Sequence, residues 1–160
     1  GNVETRLTKL AQGEADAIVM AVAGLERLGL GDRITEVLGP PGFLPAVGQG
    51  IIGLTCRAGD ERMGKTLASI SDRETWAEAL AERALLHALR GGCNAPVGSR
   101  ARAVESGISI RACVLSDDGS QCVAGERSGS IADAEKIGRL LAEDLVARGA
   151  AKLIDAARSR

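Results

Sequence analysis

VGSRARAVESGISIRACVLSDDGSQCVAGER (residues 97–127) decides the fold of the second half of the chain. Residues Val97–Val104, Ile108–Leu115 and Gln121–Arg127 each read as a strand, with apolar or small residues alternating with polar ones. The joints between them are Glu105-Ser106-Gly107 and Asp117-Asp118-Gly119-Ser120, both of turn composition. Three strands joined by short hairpins predict an antiparallel meander with one face to be covered. The cover is at hand on both sides. Residues 71–89 upstream predict a long helix, capped by Ser71 or Asp72 and stopped by Gly91-Gly92. Residues 133–148 downstream carry Ile137, Leu140, Leu141 and Leu145 at helical spacing, and residues 150–157 predict a last helix after Gly149. The expected C-terminal domain is α+β, with helices on one face of the sheet.

Upstream the rhythm differs. Val3, Leu7 and Leu10 mark one face of a short helix ending near Gly13. Residues 16–22 (DAIVMAV) form an apolar run that predicts a buried strand. Residues 24–30 predict another helix, and residues 60–70 a further one. Residues 39–50, GPPGFLPAVGQG, hold three prolines and four glycines, which no helix tolerates. They predict an extended hinge, followed by a strand over Ile51–Arg57. A strand between helices indicates an α/β layer. The fold class is therefore α/β plus α+β.

Composition narrows the function. A formal net charge of −1 argues against the basic footprint that nucleic-acid binding requires. Aromatic residues are 1% of the chain, which leaves few stacking platforms for bases or sugars. No long uncharged apolar run predicts a membrane span, and no secretion signal is visible, so a cytoplasmic location is expected. Cys56, Cys93, Cys113 and Cys122 show no CxxC spacing, and His87 is the single histidine, so no metal site is expected. The chain starts at Gly1-Asn2 without a methionine, and we expect it to be the middle of a longer protein.

Among the cysteines, Cys93 stands on a loop between a predicted helix end and a predicted strand start, between two glycines and Asn94-Ala95-Pro96. Two readings are open for it: a small buried hydrophobe, as free cysteine commonly is, or a loop thiol used as an anchor. A helix C-terminus does not favour a thiolate, so a turnover nucleophile is not indicated. Cys56, Cys113 and Cys122 fall in predicted strands and are expected to pack. Arg6 and Arg27 lie on helices flanking the predicted strand at residues 16–22. They are either solvated charges or a pair suited to a ligand with carboxylates, which arginine binds through two parallel hydrogen bonds. Glu78 and Glu82 read as a solvated helix face, and His87 as a partly buried helix residue. VGQG (47–50) matches neither a P-loop nor a dinucleotide fingerprint.

Several runs, in order, resemble the porphobilinogen deaminase family. They are GNVETRL (1–7), DAIVMAVAGLERLGL (16–30), LPAVGQG (44–50), ETWAEALAERALLHALRGGCNAPVGS (74–99) and DDGSQ (117–121). The resemblance implies a transferase that joins four porphobilinogen units into the linear tetrapyrrole hydroxymethylbilane and releases ammonia at each step. It implies a dipyrromethane cofactor joined by a thioether to Cys93. Arg6 and Arg27 would bind carboxylates of cofactor and substrate, and Gln49 and Gly50 would line the cleft. It implies residues 1–46 as the C-terminal half of a periplasmic-binding-protein-like domain 2 and residues 47–70 as hinge and return to domain 1. Residues 71–160 would be domain 3. The acid/base aspartate of the family belongs to an N-terminal half that this sequence does not contain, so no catalytic residue is assigned here. That half is expected as a partner, and the chain alone is expected to be inactive. The full-length family member is expected to be a monomer. The alternative is a non-catalytic α/β module that binds a small polycarboxylate through Arg6 and Arg27.

Overall fold

The computed structural model describes residues 2–92 and 94–158, and Cys93 lies outside the described residues. The chain forms two compact units, residues 1–39 and 40–160. Together they mix helices with a three-stranded antiparallel sheet.

The first unit is helical among its described residues. Helix α1 (Val3–Ala11) starts where the Asn2 side chain accepts the Thr5 amide at 2.9 Å, which satisfies an amide that the first turn leaves open. Helix α2 (Val22–Arg27) buries Leu25. Val3 of α1 lies 4.0 Å from the place a Cβ would take on Gly24 of α2. A short 3₁₀ turn follows at Gly31–Arg33.

The strands expected at residues 16–22 and at Ile51–Arg57 do not form. Residues 17–21 and 51–57 carry no ladder, and Val22 already belongs to α2. A strand is held by the backbone groups of a neighbour. Among the described residues none pairs with either run, and Val19, Ile52 and Leu54 stand exposed.

In the second unit, helix α3 (Glu61–Ile70) is capped by Asp60 and helix α4 (Arg73–Ala88) by Asp72, whose carboxylate accepts the Thr75 amide at 2.7 Å. That bond holds the Asp72 carboxyl below its ordinary pKa. Strands β1 (Val97–Val104), β2 (Gly107–Leu115) and β3 (Cys122–Gly129) then pair in sequence order. Ala101 opposes Ile110, and Ala112 opposes Gly125. This register puts Val97, Ala101, Ile108, Ile110, Ala112 and Val114 on one buried face. Helix α5 (Ala134–Ala147) lays Ile137, Leu141 and Leu145 on that face beside Ala81 and Leu85 of α4, and α6 (Ala150–Arg158) adds Ile154. The helices thus cover one face of the sheet, as the pattern predicts. The opposite face carries Arg111, which holds Glu126 of the next strand at 2.7 Å.

Candidate functional site

Two segments of the second unit flank the residues to which the sequence directs attention. The first is the end of α4. Leu89 is the C-cap. Arg90 follows in the left-handed region, at φ 52°. The Arg90 amide donates to the His87 carbonyl and the Gly91 amide to the Leu86 carbonyl, each at 2.9 Å. This is a Schellman stop, and it normally places glycine where Arg90 stands. Gly91 cannot carry a side chain without meeting Leu86. Beyond residue 93, the Ala95 amide donates back to the Gly92 carbonyl at 3.0 Å, and β1 begins at Val97. The two chain ends around the GGC run are therefore fixed by backbone bonds.

The second segment is Leu44–Gly50, and it runs beside β1. Ala46 bridges Gly98 in antiparallel fashion, and the Ser99 amide donates to the Pro45 carbonyl at 2.8 Å. Gly98 permits this approach, since a Cβ there would fall 2.9 Å from the Leu44 carbonyl oxygen. The chain then turns twice: the Gln49 amide donates to Ala46 O at 3.0 Å and the Ile51 amide to Gly48 O at 3.1 Å. Gly48 (φ 73°) and Gly50 (φ 86°) occupy the left-handed region that these turns need. The Gln49 side chain is exposed at the tip.

Glu82 joins the two segments, and the sequence reading missed it. Far from lying on a solvated helix face, it is 4% exposed. Its Oε1 accepts the Ala101 amide and its Oε2 the Gly48 amide, both at 2.7 Å. Charge-assisted bonds of this length are strong ones. Glu78, one turn earlier, accepts the Ala103 amide at 2.9 Å and lies 3.9 Å from Arg102. A signal was present: Glu78, Glu82, Leu85 and Leu89 fall on one stripe of α4, and the last two are core residues.

The arginines singled out for carboxylates lie in the first unit. Arg6 is exposed on α1, and Arg27 is exposed in the last turn of α2. A small open pocket of that unit, about 160 Å³, is lined by Leu7, Leu10, Met20 and Leu25 with Arg33 and Asp16 at its polar side. Neither Arg6 nor Arg27 lines it. Arg33 is a cation of this unit that the sequence reading did not single out.

The remaining candidates sort simply. Cys56 and Cys122 are exposed and Cys113 is half-buried, so the expectation that all three pack inside strands fails for the first two. The outward face of the sheet takes Cys122 and Cys113, and Cys113 opposes Ala124 while Cys122 opposes Leu115. Burial pushes the Cys113 thiol up. His87 is exposed, not partly buried. Among the described residues no three His, Cys, Asp or Glu side chains gather to hold a metal, and no helix is long and apolar enough to cross a membrane.

Comparison with known families gives two matches. Residues 1–65 match the family model described as porphobilinogen deaminase, dipyromethane cofactor binding domain. Residues 76–147 match the one described as porphobilinogen deaminase, C-terminal domain.

Proposed function

The chain belongs to the porphobilinogen deaminase family, and from that premise we propose that it is the part of a hydroxymethylbilane synthase that carries the dipyrromethane cofactor on Cys93. The match of residues 1–65 is to the cofactor-binding domain of that family. The observation that carries the reading is the arrangement around residue 93. A rigid helix stop and a backbone-tied strand start bracket the GGC run, and the Leu44–Gly50 loop is bonded to the same elements. A cysteine whose flanks on both sides are fixed suits an anchor that is alkylated once and then left in place.

The residue chemistry fits the group. Dipyrromethane brings several carboxylates, and carboxylates removed from water need cationic partners. Arg6 and Arg27 are exposed guanidiniums of the kind that task calls for, and Gln49 and Gly50 stand at an exposed turn where backbone can approach a ligand. When bound, the cofactor supplies the free pyrrole carbon from which the product grows. There it would take up the aminomethyl carbon of porphobilinogen, with ammonia as the leaving group and the displaced pyrrole proton released. This chain's own residues bind and hold. No carboxylate in it is assigned the proton transfers, which the resemblance gives to the family's N-terminal half. Residues 1–46, 47–70 and 71–160 are then the second half of domain 2, the hinge with its return to domain 1, and domain 3.

Intact mass of the denatured chain tests the reading. Expressed together with a family N-terminal half, the chain gains the mass of two linked pyrroles, and Cys93→Ala abolishes the gain. An unmodified wild-type chain from that source overturns the assignment.

A further inference from the structure

We propose that Glu82 is a positioning residue for the cofactor site: it fixes the Val47–Gly50 loop to the two elements that bracket Cys93. The inference rests on the assignment of that site and goes beyond it. Three elements meet on one carboxylate. Glu82 belongs to α4, whose C-terminal stop leads into the GGC run. Its Oε1 holds Ala101 of β1, the strand that leaves that run, and its Oε2 holds Gly48 in the loop that carries Gln49 and Gly50.

The chemistry of the contact is costly to build and so needs a reason. A buried carboxylate gives up its hydration, and only well-aligned donors make up for that loss. Glu82 is 4% exposed, and each of its oxygens meets one backbone amide. An apolar residue would pack α4 against the sheet equally well, as Ala81 and Leu85 beside it do. It would not hold the loop, because the Gly48 amide would have no acceptor there. The loop has few other holds. Bonds to β1 stop at Ala46 and Pro45, and Val47 is its one side chain packed on the core. Glu82 thus ties Gly48, the residue before Gln49, to α4 and to Ala101 of β1.

Amide hydrogen exchange on the chain gives the first test. In the wild type the Gly48 amide exchanges as slowly as that of Ala101. In Glu82→Gln it exchanges about tenfold faster or more, the effect of losing one charge-assisted bond, while Leu85 and Leu141 keep their protection. A freely exchanging Gly48 in the wild type overturns the proposal, even where the variant fails to fold. The second test uses the chain complemented by a family N-terminal half, with porphobilinogen as substrate. Turnover is counted per chain that carries the two-pyrrole adduct, so unfolded chains drop out. Glu82→Gln lowers kcat about tenfold or more, the same loss of one charge-assisted bond, and leaves KM nearly unchanged, because the arginines that bind carboxylates are untouched. Equal kcat per adduct-bearing chain overturns the positioning role. A wild type without adduct overturns the assignment of the site instead, and the exchange result still shows whether the latch exists.

Discussion

Gly138 of α5 lies so close to Ala81 of α4 that a Cβ on Gly138 would overlap the Ala81 carbonyl oxygen. The two helices therefore meet backbone to backbone. That approach is what lets both rest on the same three strands.

Gly138→Ala sets two effects against each other. Alanine gains roughly 1 kcal/mol of helix propensity over glycine. Overpacking against rigid backbone costs about 1–3 kcal/mol. The clash wins, and urea unfolding shifts to a lower midpoint. Gly64→Ala in α3, where nothing lies within 4 Å, has only the propensity effect and stabilises by roughly 0.5–1 kcal/mol. Measured side by side, the two changes have opposite signs.

Ser99 is fully buried, and its hydroxyl has no hydrogen-bond partner. An unpaired buried hydroxyl costs about 1–3 kcal/mol in lost hydration. Ser99→Ala removes the group and leaves the backbone bond to Pro45 intact. Stability rises by roughly 1 kcal/mol, read from the same unfolding curves.

Asp118 sits in the β2–β3 turn, where it accepts the Ser116 hydroxyl at 2.6 Å, the Ser120 hydroxyl at 2.8 Å and the Ser120 amide at 3.1 Å. These bonds favour the charged form and bring its pKa to about 2. The folded value lies below the unfolded one. The turn's contribution is therefore fully present above the ordinary carboxylate range and is lost as pH falls through about 2. Carbon-detected NMR titration shows Asp118 protonating near that value. Ser116→Ala, which removes the largest cause, moves it up.

Arg90 holds a left-handed conformation that costs a residue with a Cβ about 1–2 kcal/mol. Arg90→Gly relieves it and stabilises the end of α4 by roughly 0.5–1 kcal/mol, after the entropy that glycine loses on folding. Thermal unfolding reports the gain.

Elements whose partners are near in sequence were legible. The three strands, both hairpins and helices α4 to α6 follow from alternation, turn residues and helical spacing, all local signals. The runs at residues 16–22 and Ile51–Arg57 were not, because apolar content says that a segment wants cover but not which strand supplies the ladder. Glu82 was misread for a related reason. Two glutamates one turn apart on a helix usually face water. What draws them inward are the amides of Ala101 and Ala103, visible only once β1 has a definite outer side. The site residues divide likewise: the glycines of VGQG announce a turn, but its tether lies 34 residues away.

That outer side of β1 has a consequence for how the molecule meets its own kind. A sheet margin with open amides is a template on which another chain can dock and continue the ladder. Here successive outward amides are taken by the Pro45 carbonyl, Glu82 and Glu78, and across the sheet Arg148 covers the Ala124 carbonyl of β3 at 2.7 Å. Carboxylates stand where an incoming strand would offer its carbonyls. The bonds that order this unit internally also keep it from polymerising edge to edge.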